Sequence, residues 1–166
     1  MEQWLTMEYA CPFGRTLTLA CKGDALTAVI FNGQRYAGEH IPADAAACPP
    51  GKEPDILRKA CQWLERYFAG ENPDCNALTL VLSGTAYQKR VWEALRRIPY
   101  GCVISYGRLA EQCGGSARSV GAAVGHNPVS IIIPCHRVIH ADGTISGYAA
   151  GTEIKSRLLL HEGVKL

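Results

Sequence analysis

The sequence predicts an α/β fold in two parts: a small α/β N-terminal domain at residues 1–83 and a mainly helical C-terminal domain at residues 84–166. Short runs rich in β-branched and aromatic residues, separated by the turn signals KGD and NG, dominate the first part. Helical periodicity dominates the second part, and the stretch SGT at 83–85 lies between them. With 166 residues, of which 48% are hydrophobic, the chain can bury a core in each part.

The N-terminal part is predicted to contain strands and one long helix. RTLTLAC, at 15–21, and LTAVIF, at 26–31, are typical of strands. Apolar side chains in EPDILRKACQWLERYFAG, at 53–70, repeat with helical period, and Gly70 suits the end of that helix. ALTLVL, at 77–82, is predicted to be the last strand of this part.

The C-terminal part begins with three predicted helices. TAYQKRVWEALRRI, at 85–98, presents one apolar face, and Pro99 ends it. Ser105 is expected to cap YGRLAEQC, and Ser116 is expected to cap ARSVGAAVG after the Gly114-Gly115 break. Two short helices around a glycine turn indicate either a helix-turn-helix or an ordinary helical hairpin, and the spacing alone leaves both open.

The rest of the chain is predicted to be extended until a final helix. SIIIP, at 130–134, is interpreted as a buried extended segment that delivers Cys135. RVIH and GTISGY flank a turn signal at 141–143, which favours a hairpin. The last helix is predicted from Thr152 or Glu153 through LLLHE, ending at Gly163.

Charge is unevenly distributed along the chain. Residues 1–83 carry a net charge of −3 and residues 84–166 a net charge of +5. The C-terminal part is therefore the one suited to a polyanion such as nucleic acid, although lopsided solvated surfaces are common.

The eight cysteines are dispersed and form no CxxC pair, so neither a disulfide framework nor a zinc site is indicated. The start MEQWLTMEYA lacks the features of a signal peptide, and no apolar run has the length needed to cross a bilayer. These observations predict a soluble cytoplasmic protein with reduced cysteines.

Cys135 stands between three isoleucines, a proline and two cationizable side chains, in IIIPCHRVIH. A thiol is mostly protonated at neutral pH and becomes a good nucleophile only when a base or cation favours the thiolate. Neighbours on an extended segment point to opposite faces, so adjacency to His136 does not establish contact. The residues alone leave open whether Cys135 is a core side chain or a nucleophile.

Seven pieces between Val91 and Gly163 resemble, in order, the C-terminal domain of the methylated-DNA–protein-cysteine methyltransferases, also called O6-alkylguanine-DNA alkyltransferases. The pieces are VWEAL, IPYG, SYGRLA, ARSVGAAVGHNP, IPCHRVI, GTISGY and LLLHEG. The resemblance implies a degenerate, RNase H-like N-terminal domain and a winged-helix-like C-terminal domain with a helix-turn-helix. It implies DNA repair in which a flipped O6-alkylguanine gives its alkyl group once, irreversibly, to the protein, and it leaves repair of O4-methylthymine open.

The resemblance also implies the catalytic roles. Cys135 is the alkyl acceptor, and His136 takes the thiol proton through a water. Glu162 orients that histidine, and Asn127 braces the segment that bears the cysteine. Arg137 is expected to anchor the loop through a buried ion pair, with a contact to a DNA phosphate as the alternative.

Further residues are implied to bind the damaged nucleotide. Tyr148 and Ala149 line the guanine pocket, and Val138 contributes its backbone carbonyl. Tyr106 pushes on the phosphate beside the target, and Arg118 enters the base stack in place of the flipped base.

The resemblance implies that small residues on the helix predicted at ARSVGAAVG let this helix enter the minor groove of double-stranded DNA, where it binds without reading the base sequence. They are Ala117, Ser119, Gly121 and Ala122. No cofactor is expected, because the damaged DNA is the alkyl donor, and the protein is expected to act as a monomer.

The sequence departs from the family pattern at several points. The turn before Arg118 is two residues shorter than usual, which affects the expected register of that arginine. The glycine pair that is usual after Tyr148 appears here as Ala149-Ala150-Gly151, and Tyr87 stands where many members have phenylalanine. The zinc site of some relatives is not predicted, because Cys11, Cys21 and His40 do not complete its ligand set.

Three rival functions are weighed against alkyl transfer. A fused transcriptional regulator of this family needs a further metal-binding domain, for which the chain is too short. A damage sensor related to the family lacks the acceptor cysteine, which is present here as Cys135. A cysteine hydrolase would turn over, whereas an alkyl acceptor is labelled once.

Overall fold

The computed structural model describes residues 2–166 and has a mixed α/β architecture, which confirms the predicted class at that level. Its strands are β1 Trp4–Cys11, β2 Arg15–Lys22, β3 Ala25–Phe31, β4 Ala46–Ala47, β5 Ile104–Ser105 and β6 Val138–Ile139. Its helices are α1 Asp55–Phe68, α2 Ala86–Leu95, α3 Tyr106–Cys113, α4 Ala117–Gly125 and α5 Thr152–His161. One compact unit ends at Ser83 and the other is Gly84–Leu166. Among residues 2–166, no helix is long and apolar enough to span a membrane.

The N-terminal unit is a four-stranded sheet in the order β3-β2-β1-β4 with α1 against it. The first three strands are antiparallel, and β4 runs parallel to β1. Helix α1 buries the apolar face that its periodicity predicted: Ile56, Leu57, Ala60, Trp63, Leu64 and Tyr67. The predicted helix and the strands β2 and β3 are confirmed, and β1 is an additional strand.

The strand predicted at 77–82 was wrong. A 3-10 turn at Cys75–Ala77 precedes it, capped by the Asp74 side chain on the N–H of Asn76. Beyond the turn, Leu26 and Leu80 form an isolated parallel bridge, with hydrogen bonds from Leu26 N–H to Thr79 and from Val81 N–H to Leu26. Two hydrogen bonds on one residue of β3 do not extend into a ladder.

The C-terminal unit starts its helices where the sequence predicted. Thr85 and Gln88 form a capping box on α2, and Ser116 and Ser119 form one on α4. Ser105 caps α3 by accepting from the N–H of Arg108. These side chains satisfy N–H groups that have no partner within the first helical turn.

The segment that carries Cys135 is not extended, which corrects the interpretation of SIIIP. Ser130 and Ile133 form a bridge across a tight turn, in which Ile131 has φ of +73°. A left-handed conformation is costly for a β-branched residue, so the surrounding contacts must hold it. Cys135 then begins a 3-10 helix, Cys135–Arg137.

The hairpin predicted around 141–143 was also wrong. The turn is present, with Gly143 N–H donating to His140 at 2.9 Å, but β6 pairs in parallel with β5. The Asp142 side chain accepts the N–H of Thr144, and residues 144–148 form no strand. Because β5 and β6 are parallel, Tyr106 at the start of α3 lies next to His140, the residue that follows β6.

Candidate active site

Glu162 holds His136 and Arg137 together at the C-terminal end of α5. Its Oε2 lies 2.6 Å from Nε2 of His136 and 3.1 Å from Nη2 of Arg137. Its Oε1 accepts from Nε of Arg137 at 2.7 Å and from the N–H of Gly101 at 3.1 Å. Burial alone would raise the pKa of Glu162, but the hydrogen bonds and charges of its two partners outweigh it and hold the pKa well below its usual range.

Arg137 anchors this loop through a buried ion pair, which confirms its predicted structural role. Its guanidinium binds Glu162 through two nitrogens and donates from Nη1 to the carbonyl of Ile98 at 2.7 Å. It also lies 5.7 Å from the centre of the Tyr100 ring. The fork geometry of arginine fixes the carboxylate plane, so Glu162 meets His136 in one orientation.

His136 is held as a neutral base. Its side chain is fully buried, and burial lowers the pKa of the imidazole despite the adjacent carboxylate. At neutral pH the ring therefore donates from Nε2 to Glu162 and keeps a lone pair on Nδ1. Nδ1 is buried and has no hydrogen-bond partner within residues 2–166. That tautomer leaves a proton acceptor free, one residue from Cys135.

Cys135 lies at the start of the same 3-10 helix and is only 6% exposed. Burial raises the pKa of its thiol, while hydrogen bonds from the side chains of Asn127 and Tyr148 and the charge of Lys155 act in the opposite direction. A thiol in this environment is stored in its protonated form. Three polar side chains are already placed to stabilise the thiolate once the proton leaves.

Asn127 braces the strained turn that precedes Cys135. Its Nδ2 donates to the carbonyl of Ile133 at 2.8 Å, and its Oδ1 accepts from the N–H of Val129 at 3.0 Å. Ile131, with its left-handed φ, lies between these two contacts in the chain. The Asn127 amide therefore holds the turn at 129–133, and this turn fixes the position of Cys135.

Replacing Asn127 with alanine is expected to lower the free energy of unfolding by about 1–3 kcal/mol, because the buried N–H of Val129 loses its acceptor and the carbonyl of Ile133 loses one of its donors. Urea unfolding measures this, with the exposed Gln112→Ala as the matched loss of an amide. Equal stability of the two variants would contradict the bracing role.

A cavity of about 360 Å³ lies in the C-terminal unit beside α4. Its lining residues come from α3, α4 and the loop after β6: Tyr106, Ala117, Arg118, Gly121, His140, Ser146 and Gly147. Four of the predicted substrate- and DNA-binding residues are thus brought to one concave surface. This volume falls within the range of small-molecule sites.

The other predicted binding residues are placed differently. Val138 is fully buried on β6, and Tyr148 and Ala149 are half-buried on the loop before α5. Ala122 is exposed on α4. Ser119 is also on α4, but its hydroxyl accepts from the N–H of Ser116 at 2.9 Å as part of the helix cap.

Lys155 is a residue of this site that the sequence reasoning missed. It is fully buried on α5, and within residues 2–166 its Nζ has three polar or ring contacts: the Tyr106 hydroxyl at 3.4 Å, the carbonyl of Ser146 at 3.3 Å and the face of the Tyr106 ring. Burial lowers its pKa to about 8, and the charge of Cys135 acts in the opposite direction. A cation buried without a carboxylate partner is costly, so its place beside the thiol requires an explanation.

His140 and Ser146 were also missed. Nε2 of His140 lies 2.5 Å from Oγ of Ser146, and its ring centre lies 5.2 Å from that of Tyr106. Both line the cavity. The only signal in the sequence was their position on either side of the predicted turn at 141–143.

The model of the 6-O-methylguanine DNA methyltransferase DNA-binding domain matches residues 86–164. A methylated-DNA–protein-cysteine methyltransferase of Shigella flexneri is 49% identical over 123 residues, covering 73% of this chain and 68% of that relative. One of Mycobacterium tuberculosis is 45% identical over 145 residues, covering 86% and 83%. The crystal structure of Mycobacterium tuberculosis OGT in complex with DNA matches with a TM-score of 0.81 and 40% identity, covering 96% of this chain and 92% of that one.

Proposed function

This chain belongs to the methylated-DNA–protein-cysteine methyltransferase family, and from that premise we propose that Cys135 is its alkyl acceptor. The protein repairs DNA by moving an alkyl group from O6-alkylguanine to itself, once per molecule. The observation that carries the assignment of the acceptor is the buried arrangement of Cys135, His136 and Glu162. It is the order of nucleophile, base and orienting carboxylate that an activated thiol needs.

The chemistry follows from the protonation states. Nδ1 of His136 accepts the thiol proton through one water, and Glu162 stabilises the imidazolium that forms. The thiolate sulfur attacks the alkyl carbon in line, an S–C bond forms, and the C–O6 bond breaks. The electron pair of the C–O6 bond stays on the guanine, which remains in the DNA and takes up one proton in place of the one that the thiol lost, so the thioether and the repaired guanine conserve charge. No step restores the thiol, so each molecule reacts once.

The target base reaches Cys135 only after rotating out of the duplex, at a cost of a few kcal/mol for unstacking. The cavity lined by Tyr106 and Gly147 is the proposed entry for that base. Tyr148, Val138 and Ala149 are proposed to bind guanine there. Arg118, exposed at the start of α4, is proposed to fill the vacated position in the stack, because guanidinium is planar and cationic.

Helices α3 and α4 form the proposed helix-turn-helix, with α4 entering the minor groove. Ala117 and Ala122 are exposed, and Gly121 lies against the ring of Tyr106, so the outer face of α4 carries little bulk. Contacts of this kind follow groove shape and phosphates, so binding is expected to be salt-sensitive and sequence-independent. In the N-terminal unit, the order β3-β2-β1-β4 with β4 parallel to β1 supports the proposed degenerate RNase H-like sheet. The protein is proposed to act as a monomer.

Intact-protein mass spectrometry tests the acceptor directly. With an excess of duplex containing one O6-methylguanine, each chain is expected to gain one methyl group, and peptide mapping is expected to place it on Cys135. The Cys135→Ser variant is expected to gain none. Tight lesion binding with no mass change would instead indicate a damage sensor, and repeated turnover would indicate a hydrolase.

A further inference from the structure

The turn between α3 and α4 is built from two glycines in the left-handed region. Gly114 has φ of +83° and Gly115 has φ of +88°. A Cβ on Gly115 would lie 2.5 Å from Oγ of Ser119 and 2.8 Å from the hydroxyl oxygen of Tyr87. Both the conformation and the space therefore require glycine, and the tight packing comes partly from a side chain on α2.

The Tyr87 hydroxyl joins this turn to the first turn of α4. It donates to the carbonyl of Gly114 at 2.9 Å and lies 3.2 Å from Oγ of Ser119. Ser119 is the third residue of α4 and a member of its capping box, in which its hydroxyl accepts from the backbone N–H of Ser116. One hydroxyl from α2 thus contacts Gly114, which ends α3, and Ser119, the partner of the N-cap residue Ser116 in the α4 capping box.

Arg90, one turn later on α2, supports the same junction. Its Nη1 donates to the carbonyl of Cys113 at 3.0 Å, and its guanidinium lies 5.7 Å from the centre of the Tyr87 ring. The carbonyls of Cys113 and Gly114 lie at the end of α3, where the helix offers no further N–H partners. Two side chains of α2 therefore donate to these carbonyls, Arg90 to that of Cys113 and Tyr87 to that of Gly114.

Arg118 lies next to the contacts that Tyr87 makes at the start of α4. It is the second residue of α4, one position before Ser119, and it lines the cavity together with Ala117. The other end of α4 is held by Trp92 of α2, whose Nε1 donates to the carbonyl of Ala123 at 2.8 Å. Helix α2 therefore fixes α4 at both ends, and the Tyr87 hydroxyl fixes the end that carries Arg118.

We propose that the Tyr87 hydroxyl is a positioning group for DNA engagement: it sets the start of α4 across the short Gly114-Gly115 turn and thereby aims Arg118. Phenylalanine at this position would fill the same space but would contact neither the Gly114 carbonyl nor the Ser119 hydroxyl. The short turn has few residues with which to fix the start of α4, and the Tyr87 hydroxyl supplies that constraint. The inference rests on the proposed function of Arg118 as the residue that enters the base stack.

Replacing Tyr87 with phenylalanine is expected to weaken binding of a fluorescein-labelled duplex by about three- to tenfold, the range expected for a lost hydrogen bond that orders a binding group. Anisotropy titration at fixed salt measures the Kd. Tyr9→Phe, which removes a hydroxyl from β1 in the other unit, is the matched control. Two alkylation rates of the protein are also compared, one with the O6-methylguanine duplex and one with the free base O6-benzylguanine. The ratio of the first rate to the second is expected to fall by a similar factor in the variant.

A double-mutant cycle with Arg118→Ala separates positioning from general support. If Tyr87 acts through Arg118, Tyr87→Phe is expected to weaken binding by less than about twofold once Arg118 is alanine. The same loss in both backgrounds, or equal falls in duplex and free-base alkylation, would overturn the proposal. Failure of the wild-type protein to alkylate itself would contradict the proposed function alone, because duplex binding is measured without transfer.

Discussion

Replacing Glu162 with glutamine is expected to slow methyl transfer to Cys135 by about 10²–10⁴-fold, the contribution typical of a positioned general base, because His136 then loses the carboxylate that positions it as the base. The glutamine amide cannot accept from both His136 and Arg137 as the carboxylate does. It also removes the negative charge that stabilises the imidazolium after proton transfer. Stopped-quench reaction with O6-methylguanine duplex under single-turnover conditions measures the rate constant.

The same substitution is expected to lower the free energy of unfolding by about 3–5 kcal/mol, because it leaves the buried guanidinium of Arg137 without its charged partner. The pH dependence has a defined sign. The folded pKa of Glu162 is held well below its unfolded value, so its contribution to stability is fully present above a pH of about 4.3 and is lost as pH falls through the folded pKa. Wild-type stability is therefore expected to fall more steeply below pH 4.3 than that of the variant.

Glu153→Gln is the matched control, since Glu153 is an exposed glutamate in the first turn of the same helix. It is expected to leave both the rate constant and the stability close to those of the wild-type protein. A Glu162→Gln protein that transfers methyl at more than a tenth of the wild-type rate would contradict the role of the carboxylate in orienting His136.

Local chemistry made the C-terminal helices predictable from the sequence. Thr85, Ser105 and Ser116 each cap the helix that follows, because a hydroxyl on the preceding residue satisfies N–H groups within three residues of itself. Gly114 and Gly115 end α3 for an equally local reason, their positive φ. Such signals depend on neighbours in the chain and are legible without knowledge of the fold.

The contacts of the candidate site join distant residues and were not predictable from spacing. His136 and Glu162 are 26 residues apart, and only the resemblance to a family suggested that they meet. The cysteine segment was interpreted as extended because three isoleucines favour a strand, but the Asn127 amide and a left-handed Ile131 turn it instead. A buried side-chain hydrogen bond that spans six residues here overrides local propensity.

Lys155 had a signal in the sequence that was not used. It occupies a position on α5 between Ile154 and Leu158, both buried, so helical periodicity places it on the apolar face. A lysine at such a position is rarely fully buried without a carboxylate partner. Its exposure is 0%, and within residues 2–166 the cavity-lining residues Tyr106 and Ser146 accept hydrogen bonds from it. The exception to the hydrophobic pattern was thus the signal for a buried cation whose charge acts on Cys135.

Replacing Lys155 with methionine is expected to slow methyl transfer at pH 7.5 by about tenfold or more, since each unit by which the thiol pKa rises costs a factor of ten in thiolate. The ammonium is the buried cation that lowers the pKa of Cys135 against the effect of burial. Without it, the pH–rate profile is expected to shift to higher pH. A general loss of structure would lower the rate without moving the profile.

The same variant is expected to be more stable than the wild-type protein at neutral pH, because methionine fills the space of the lysine stem without burying a charge. The folded pKa of Lys155 is about 8, below the unfolded value near 10.4. Between these values the unfolded chain binds the proton that the folded chain has lost, so wild-type stability rises with pH by up to roughly 3 kcal/mol. The methionine protein lacks this rise.

Comparing the two proteins in a Cys135→Ser background removes the titration of the thiol itself from the stability measurement. The exposed Lys165→Met is the matched control and is expected to change neither the profile nor the slope of stability with pH. A faster or unchanged reaction in Lys155→Met would mean that the buried cation does not assist the thiolate. A gain in stability together with a slower, alkaline-shifted reaction would mean that the fold tolerates the cost of burying Lys155 in order to ionise Cys135.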